Sequence, residues 1–206
     1  MDSALSRTNR PPVVYLPDTP HVRVKILVSG PMGVGKTTFT TTVSEIPTLH
    51  TDEVMTEAAA GVDDLSRPEL RNKTTTTVAT DFGRLTLEQA GIVMYLFGTP
   101  GQHRFRPLWD DLAEGALGAL VLVDTERLQE SFEAMDLIEE RGVPYAVAVN
   151  CFPGSRTVDV GTLRTKLDLD PRTPLVLCDA RDRNSTLDAL IALATHLLTS
   201  AGDTPS

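Results

Sequence analysis

The stretch Gly30-Pro31-Met32-Gly33-Val34-Gly35-Lys36-Thr37 decides the fold of this chain. It fits the pattern G-x-x-x-x-G-K-[ST] of a phosphate-binding loop, in which glycines let the backbone turn tightly and approach a ligand. The turned backbone points its N–H groups inward as an anion cradle. Lys36 supplies a charge for the outer phosphates and Thr37 a hydroxyl for Mg²⁺. The motif therefore predicts a site for a nucleotide.

The residues on either side of the loop supply the setting that the motif requires. Residues 22–28, VRVKILV, have the apolar and β-branched content of a strand, and residues 38–44 are predicted to form a helix. A helix that begins near Lys36 adds its positive dipole end to the cradle. The alternative, a glycine-rich surface loop, would lack this strand–loop–helix arrangement.

The rest of the chain alternates between strands and helices. We predict strands at 74–87, 91–97, 117–123, 144–149 and 174–177, helices at 127–141 and 160–167, and a last helix capped by Ser185 that runs to Leu198. A short turn at 88–91 makes the first two of these strands a hairpin. We therefore expect an α/β fold with a mostly parallel six-stranded sheet, one antiparallel edge strand and helices on both faces. Residues 48–71 are acidic and predicted to be mobile.

Length and charge limit the classes of function. The chain of 206 residues suits one domain, predicted at 21–200, between a flexible tail at 1–20 and a short tail at 201–206. The net charge is 19 − 28 = −9, which favours a small phosphate ligand with Mg²⁺ over nucleic acid. We predict no direct membrane insertion, because the sequence shows no apolar run of membrane length, no lipidation signal and no secretory segment. With two cysteines, we expect a reducing, cytoplasmic location.

A second motif, Gly98-Thr99-Pro100-Gly101-Gln102, follows the third predicted strand. Ras-like GTPases have D-x-x-G-Q there, where the Gly N–H contacts the γ-phosphate and the Gln orients the attacking water. With both motifs, residues 22 to 199 resemble a small Ras-like GTPase. The resemblance implies the three-layer P-loop NTPase fold, bound GTP or GDP, and catalysis by Gln102 with Lys36.

A narrower resemblance is to the bacterial branch of these GTPases. Residues 33–38, 43–46, 76–84, 96–102 and 178–183 resemble the ATP/GTP-binding proteins encoded in the conservon clusters of actinomycetes, and more distantly the gliding-motility GTPases. That resemblance implies a roadblock-type protein and a membrane sensor-kinase-like complex as partners. Such a complex would recruit the chain to the membrane.

The family's site residues carry over by position. Thr77 stands where Ras-like proteins place the Thr that ligates Mg²⁺ in the triphosphate state, with Thr76 as the alternative in a four-Thr run that also suits a plain strand. The implied metal ligands are Thr37 and Thr77. The implied nucleotide contacts are Gly30, Pro31, Met32, Gly33, Val34, Gly35, Lys36, Thr37, Thr38, Thr77, Gly101, Asn150, Cys151, Asp179, Ala180 and Arg181.

Two departures from the family pattern stand out. Gly98 replaces the Asp that normally holds Mg²⁺ through water, and Asp81 is the candidate substitute. The base-reading motif N-K-x-D has become N-C-F-P at 150–153, so the Asp that bonds guanine is missing. Asp179 could face the base from the other side and Arg181 could stack on it. The resemblance favours guanine, and the residues alone leave adenine open.

Three functions compete at this stage. The first is a switch that binds GTP, hydrolyses it slowly and signals through segments 48–71 and 98–111. The second is a nucleotide-binding adapter, possibly for ATP, with negligible turnover. The third is a small-molecule kinase, which would not need a water-orienting Gln. Arg104 or Arg106 could act as an internal arginine finger or be solvated. The candidate partner contacts are Phe82, Phe105, Leu108 and Trp109, with packing in the core under these segments as the alternative.

Overall fold

The computed structural model describes residues 13–16, 18, 20–54, 77–101, 106–152, 154–155 and 158–202, with the backbone alone at 50–54, 77–79, 106–108 and 201–202. The strands are β1 Val22–Ser29, β2 Leu49–Val54, β3 Thr77–Leu87, β4 Ile92–Gly98, β5 Ala116–Val123, β6 Tyr145–Asn150 and β7 Leu175–Cys178. The helices are α1 Lys36–Val43, α2 Arg106–Ala113, α3 Gln129–Glu139, α4 Val160–Lys166 and α5 Arg183–Gly202.

The strands form one sheet in the order β2-β3-β4-β1-β5-β6-β7. Strand β3 is antiparallel to both of its neighbours, while β4, β1, β5, β6 and β7 pair in parallel. The predicted α/β class, with one antiparallel strand in a mostly parallel sheet, is confirmed. The predicted count of six and the edge position of β3 are corrected, because β2 adds a seventh strand outside it.

Strand β2 lies at the start of the segment that we predicted to be mobile. Its acidic sequence LHTDEV is a poor strand former by composition. Its backbone nevertheless pairs with β3, from Leu49 opposite Phe82 to Val54 opposite Thr77. The hydrogen bonds that make it a strand thus come from a partner nearly thirty residues away, which local propensity does not reveal.

The sheet is buried on both faces, as its central strands predict. Alternate residues of β5 enter two separate cores: Leu120 and Leu122 on one face, Ala119, Val121 and Val123 on the other. Helices α1 and α5 cover the first face, and α2 and α3 cover the second. This is the three-layer arrangement that a continuous apolar strand indicates.

The last helix begins three residues earlier than expected, and Ser185 is not its cap. The Asp182 carboxylate accepts a hydrogen bond from the Ser185 N–H at 2.7 Å and so caps α5. The Ser185 hydroxyl instead accepts from the Asp179 N–H at 2.9 Å. It therefore fixes the loop between β7 and α5, which carries predicted site residues.

Helix α2 occupies much of the segment 98–111, which we had predicted as a loop. It buries Trp109, whose side chain is 2% exposed in the second core. The predicted role of Trp109 as an exposed partner contact is therefore wrong. Phe82 is half-buried; it stacks on Tyr95, with ring centroids 5.9 Å apart, and meets Phe97 edge to face, with centroids 5.1 Å apart. Phe105 and the Leu108 side chain lie outside the described residues.

An N-terminal arm contacts the sheet through its backbone. Arg84 on β3 donates to the carbonyls of Val14 at 2.6 Å and Tyr15 at 3.1 Å. Glu45, after α1, holds the same guanidinium at 2.6 Å and also accepts from Thr86. Within the described part of the chain, no helix is long and apolar enough to cross a membrane.

Candidate nucleotide-binding site

The phosphate loop joins the end of β1 to the start of α1, at the carboxyl edge of the parallel strands. Gly30, Gly33 and Gly35 have φ angles of 132°, 75° and 106°, which side chains with a Cβ rarely adopt. A Cβ on Gly30 would lie 2.4 Å from the Leu122 carbonyl oxygen, and one on Gly35 would lie 2.6 Å from the Asn150 amide nitrogen. Conformation and crowding thus both require these glycines, and the strand–loop–helix prediction is confirmed.

Lys36 turns its ammonium group into the loop. Nζ donates to the carbonyl oxygens of Gly30 at 2.7 Å and Pro31 at 2.8 Å. Burial lowers the Lys36 pKa to about 8, and the charge of Asp81 partly opposes that shift. The cation is therefore held, largely out of water, at the position where the motif places the outer phosphates.

Thr37 and Asp81 meet on the other side of the loop. The Thr37 hydroxyl donates to Asp81 Oδ2 at 2.5 Å, and Asp81 is buried on β3 beside the end of β4. Gly98 makes room for this carboxylate, since a Cβ there would lie 3.1 Å from the Asp81 Cβ and 3.4 Å from Oδ2. Gly98, the first departure noted in the sequence, and Asp81, its candidate substitute, thus lie side by side.

The second motif reaches the phosphate loop at Gly101. A Cβ on Gly101 would lie 2.8 Å from the Met32 nitrogen and 2.9 Å from Lys36 Nζ, so only a glycine fits without displacing the loop. Before it, the buried Thr99 hydroxyl donates to the Ser29 hydroxyl at 3.1 Å. The next predicted residue, Gln102, lies outside the described residues, as do Thr76 and Arg104 and the side chains of Thr77 and Arg106.

Asn150 joins the two ends of the site. Its amide nitrogen donates to the Val34 carbonyl at 2.8 Å, and its carbonyl oxygen accepts from the Ala180 N–H at 3.0 Å. Asn150 is 4% exposed, so in this structure it holds the loops together. Of the other implied contacts, Met32 and Thr38 are exposed on the loop and α1, and Ala180 is buried.

The base end is built around an exposed ion pair. Arg181 donates to Asp179 through Nε at 2.9 Å and Nη2 at 2.7 Å, and its backbone N–H also bonds Asp179. These hydrogen bonds and the charge of Arg181 lower the Asp179 pKa to about 2. Asp179 thus holds the Arg181 guanidinium through two side-chain hydrogen bonds. If Arg181 stacked on a base with this pair intact, the Asp179 carboxylate would lie beside that base as well.

The two cysteines lie beside the base end in different environments. The Cys151 N–H donates to the Cys178 carbonyl at 2.7 Å, and both thiols are free. Cys178 is buried, and burial raises its pKa to about 11, whereas Cys151 is exposed. Both thiols are thus free in this structure, and only that of Cys178 is buried.

Arg127 is a site residue that the sequence did not single out. It follows β5, and its Nη1 donates to the Met32 carbonyl of the phosphate loop at 3.2 Å. Asp124 holds Nε at 3.0 Å and Glu130 holds Nη1 at 3.2 Å. A D-T-E-R sequence before a helix is typical of many solvated helix starts, so no local signal marks this contact.

Comparison with known proteins agrees with this geometry. Residues 28–200 match the family described as "Conserved hypothetical ATP binding protein", and the chain belongs to that family. An uncharacterized protein of Methanocaldococcus jannaschii is 30% identical over 144 residues, which are 69% of this chain and 75% of that protein.

Solved structures with low identity share the fold. The G domain of the T. maritima FeoB iron transporter is 16% identical, with a TM-score of 0.57 over 84% of this chain and 98% of that one. The FeoB G domain of Methanococcus jannaschii is 15% identical, with a TM-score of 0.56 over 86% and 99% of the two chains. The P-loop NTPase fold of G domains is thereby confirmed, and the narrower conservon resemblance stays a prediction.

Proposed function

We propose that this chain is a guanine-nucleotide-binding switch that hydrolyses GTP slowly with Mg²⁺. The observation that carries the proposal is the phosphate end of the site. There the glycine loop, the half-buried Lys36 ammonium and the Thr37–Asp81 pair converge at the carboxyl edge of the sheet. Gly101 brings the second motif against the same loop. Such an arrangement suits a nucleotide phosphate chain and a hard cation.

The residues fit Mg²⁺. The Thr37 hydroxyl and the Asp81 carboxylate are oxygen donors in direct contact, and Mg²⁺ is commonly held by one or two carboxylates together with substrate phosphates. Among the described residues there is no group of three or more His, Cys, Asp or Glu that could hold a metal alone. When bound, Mg²⁺ would supply charge neutralisation at the outer phosphates. Asp81 would take the role of the Asp that Gly98 replaces.

The chain's own residues would do the remaining work. The loop N–H groups and Lys36 bind the phosphates, Thr77 ligates Mg²⁺ in the triphosphate state, and the Gly101 N–H contacts the γ-phosphate. Gln102 orients the attacking water, as the motif that contains it does in Ras-like GTPases. Loss of the γ-phosphate releases these contacts, so segments 48–71 and 98–111 report the nucleotide state.

Guanine is the proposed base because the two phosphate motifs resemble those of Ras-like GTPases. Asp179 would accept hydrogen bonds from the base, with Arg181, which pairs with it in this structure, beside it. A second function is favoured by a specific observation: the chain belongs to a family described as ATP-binding, and its sequence lacks the guanine-reading Asp after Asn150. That function is an adapter that binds ATP with negligible turnover.

The partners that we propose are a roadblock-type protein and a membrane sensor-kinase-like complex, from the conservon resemblance. The chain would be cytoplasmic and reach the membrane through them. Binding should differ between GDP and a non-hydrolysable triphosphate, because a partner reads the γ-phosphate only through different affinities for the two states. A pull-down of the roadblock-type protein by each loaded form tests this. Equal binding would favour the adapter, and no binding in either state would contradict the partner.

The decisive experiment on function identifies the nucleotide that purified protein releases on denaturation. A guanine nucleotide supports the proposal, and an adenine nucleotide would replace it with the second function. Single-turnover hydrolysis then compares the wild type with Gln102→Leu, which should be at least about tenfold slower while binding normally. Gln129→Leu, an exposed glutamine of α3, is the matched control. Equal rates for all three would mean that the catalytic group lies elsewhere.

A further inference from the structure

Arg127 belongs to neither phosphate motif, yet the fold builds a support for it. The buried Asp124 at the end of β5 accepts from the Glu126 N–H at 3.0 Å and from Arg127 Nε at 3.0 Å. One carboxylate therefore fixes both the turn and the guanidinium that projects from it. Glu130, on the first turn of α3, holds the same guanidinium at 3.2 Å. The side chain is thus fixed in direction before any ligand binds.

The guanidinium is directed at one peptide group of the phosphate loop. Arg127 Nη1 donates to the Met32 carbonyl at 3.2 Å, and a Cβ on Gly33 would lie 3.8 Å from Nη2. A trans peptide is planar, so its C=O and N–H point in opposite directions. Because Arg127 holds the Met32 carbonyl toward α3, the N–H of Gly33 is turned to the opposite side. A cation at the carbonyl also polarises the peptide and strengthens its N–H as a donor.

This part of the loop is the part farthest from the base end. Gly35 lies against Asn150 and Ala180, whereas Met32 and Gly33 lie against Gly101 and Arg127. The Gly33 N–H is therefore placed for the outer phosphates and not for the one nearest the ribose. Asn150 holds the Val34 carbonyl in a comparable way, but with a neutral amide.

We propose that Arg127 is a positioning residue of the nucleotide site. It holds the Met32–Gly33 peptide from the carbonyl side, so that the polarised Gly33 N–H faces the outer phosphates of the bound nucleotide. This inference rests on the proposed nucleotide binding and adds a residue that acts through the loop without touching the ligand.

The test compares Arg127→Ala with Arg141→Ala in the full chain. Arg141, just beyond the C-terminal end of α3, is a matched control. It also pairs with a carboxylate, that of Asp110, and donates to a backbone carbonyl, that of Leu137. Calorimetric titration with GDP, GTP and GMP should show about tenfold weaker binding of GDP and GTP by Arg127→Ala. GMP binding should change less than about twofold, and Arg141→Ala should bind all three like the wild type.

A spectroscopic readout separates positioning from general stability. The ¹H–¹⁵N resonance of Gly33 in the GDP complex should move upfield in Arg127→Ala, because a weaker hydrogen bond shields the amide proton, and should stay in place in Arg141→Ala. Arg127→Gln keeps a donor without the charge, and Arg127→Lys keeps the charge. If Arg127→Ala does not fold, these two variants decide, with Arg127→Gln weaker for GDP than Arg127→Lys.

The outcomes are distinguishable from those of the proposed function. A wild-type chain that binds none of the nucleotides removes both proposals. Wild-type binding with unchanged GDP affinity and an unmoved Gly33 amide in Arg127→Ala or Arg127→Gln removes this one and leaves the proposed function intact. An equal loss for GMP and GDP also overturns it, because that result would show a general loosening of the site.

Discussion

The phosphate end and the base end of the site are built in different ways. At the phosphate end, contiguous residues 30–37 are held by two buried side chains, Asn150 at one carbonyl and Asp81 on Thr37, and by the half-buried Lys36 ammonium inside the loop. At the base end, an exposed fork between Asp179 and Arg181 stands where the family has its base-reading loops. The first end is set by backbone conformation, the second by side chains on the surface.

This difference explains why the site constrains the class of ligand more than the identity of the base. A loop that requires glycine at three positions leaves little choice of ligand class, because its N–H groups bind anions whatever the base. Discrimination between bases needs buried donors and acceptors that are left unpaired by the wrong ligand. An exposed ion pair can exchange its partner for water. We therefore expect strong phosphate binding and modest base selectivity.

The largest effect should come from Lys36→Ala. The variant loses the half-buried ammonium and its charge-assisted hydrogen bonds to phosphate, so GTP affinity should fall at least about 100-fold in a calorimetric titration with Mg²⁺. Circular dichroism should show a folded chain, because Lys36 contacts loop carbonyls and not the core. Lys166→Ala, an exposed lysine of α4, is the control. Unchanged affinity in Lys36→Ala would overturn the phosphate site altogether.

Asp81→Asn tests whether the carboxylate beside Thr37 serves the cation. The ratio of GTP affinity with Mg²⁺ to that with a chelator should fall by about 10-fold to 100-fold, as is usual when a group that supports a metal site loses its charge. Asp110→Asn changes the net charge equally on the exposed side of α2. If both variants keep the wild-type ratio, another group holds the metal.

The lowered pKa of Lys36 makes binding depend on pH. With a pKa of about 8 in the free chain, most of the ammonium is lost by pH 9, so GTP should bind about tenfold more weakly there than at pH 7. Phosphate favours the charged form, so binding takes up a proton above pH 8. Titration in buffers of different ionisation enthalpy measures that uptake. A constant affinity from pH 7 to 9 would contradict the pKa.

The same group affects folding in the opposite direction. In the unfolded chain Lys36 has its ordinary pKa of 10.5, so it is protonated more readily there than in the folded chain. Between about pH 8 and 10.5 the unfolded state therefore binds more protons, and the contribution of Lys36 to the free energy of unfolding rises with pH. The free energy of unfolding of Lys36→Met, measured by chemical denaturation, should lack this contribution.

The smallest effect should come from Asp179→Ala at the base end. Because the Asp179–Arg181 pair is exposed, its loss should change the ratio of GTP to ATP affinity by no more than about fivefold. Competitive displacement of a fluorescent nucleotide measures both affinities, with Asp170→Ala, in another exposed Asp–Arg pair, as the control. A change of 100-fold or more in this ratio would contradict the modest base selectivity that we expect.

The parts of the fold that sequence reasoning captured depend on local patterns. The glycine loop and the doubly buried β5 each carry their signal within about eight residues. Strand β2 does not, because its pairing with β3 is a long-range contact. Ser185 and Asp182 are both good capping residues, and the choice between them depends on the turn that follows β7.

The site shows the same division. Lys36, Thr37 and Asn150 were singled out by motifs, and the structure brings all three to the phosphate loop, while their contacts with a nucleotide stay a prediction. Arg127 was missed because its target, the Met32 carbonyl, is 95 residues away in the chain. The orientation of Trp109 was predicted wrongly because an aromatic residue in a loop and one on a buried helix face look alike until the helix is known.

The neighbouring positions of Asp81 and Gly98 have a consequence for how such proteins are recognised and altered. A search along the sequence for D-x-x-G rejects this chain, whereas a search in space finds a carboxylate beside the phosphate-loop hydroxyl. Placing aspartate at 98 while Asp81 remains would bring its Cβ to 3.1 Å from the Asp81 Cβ, so the Asp81 side chain would have to shift. The double change, Asp81→Gly with Gly98→Asp, removes that close contact and moves the charge to the neighbouring strand. The two positions are therefore best altered together.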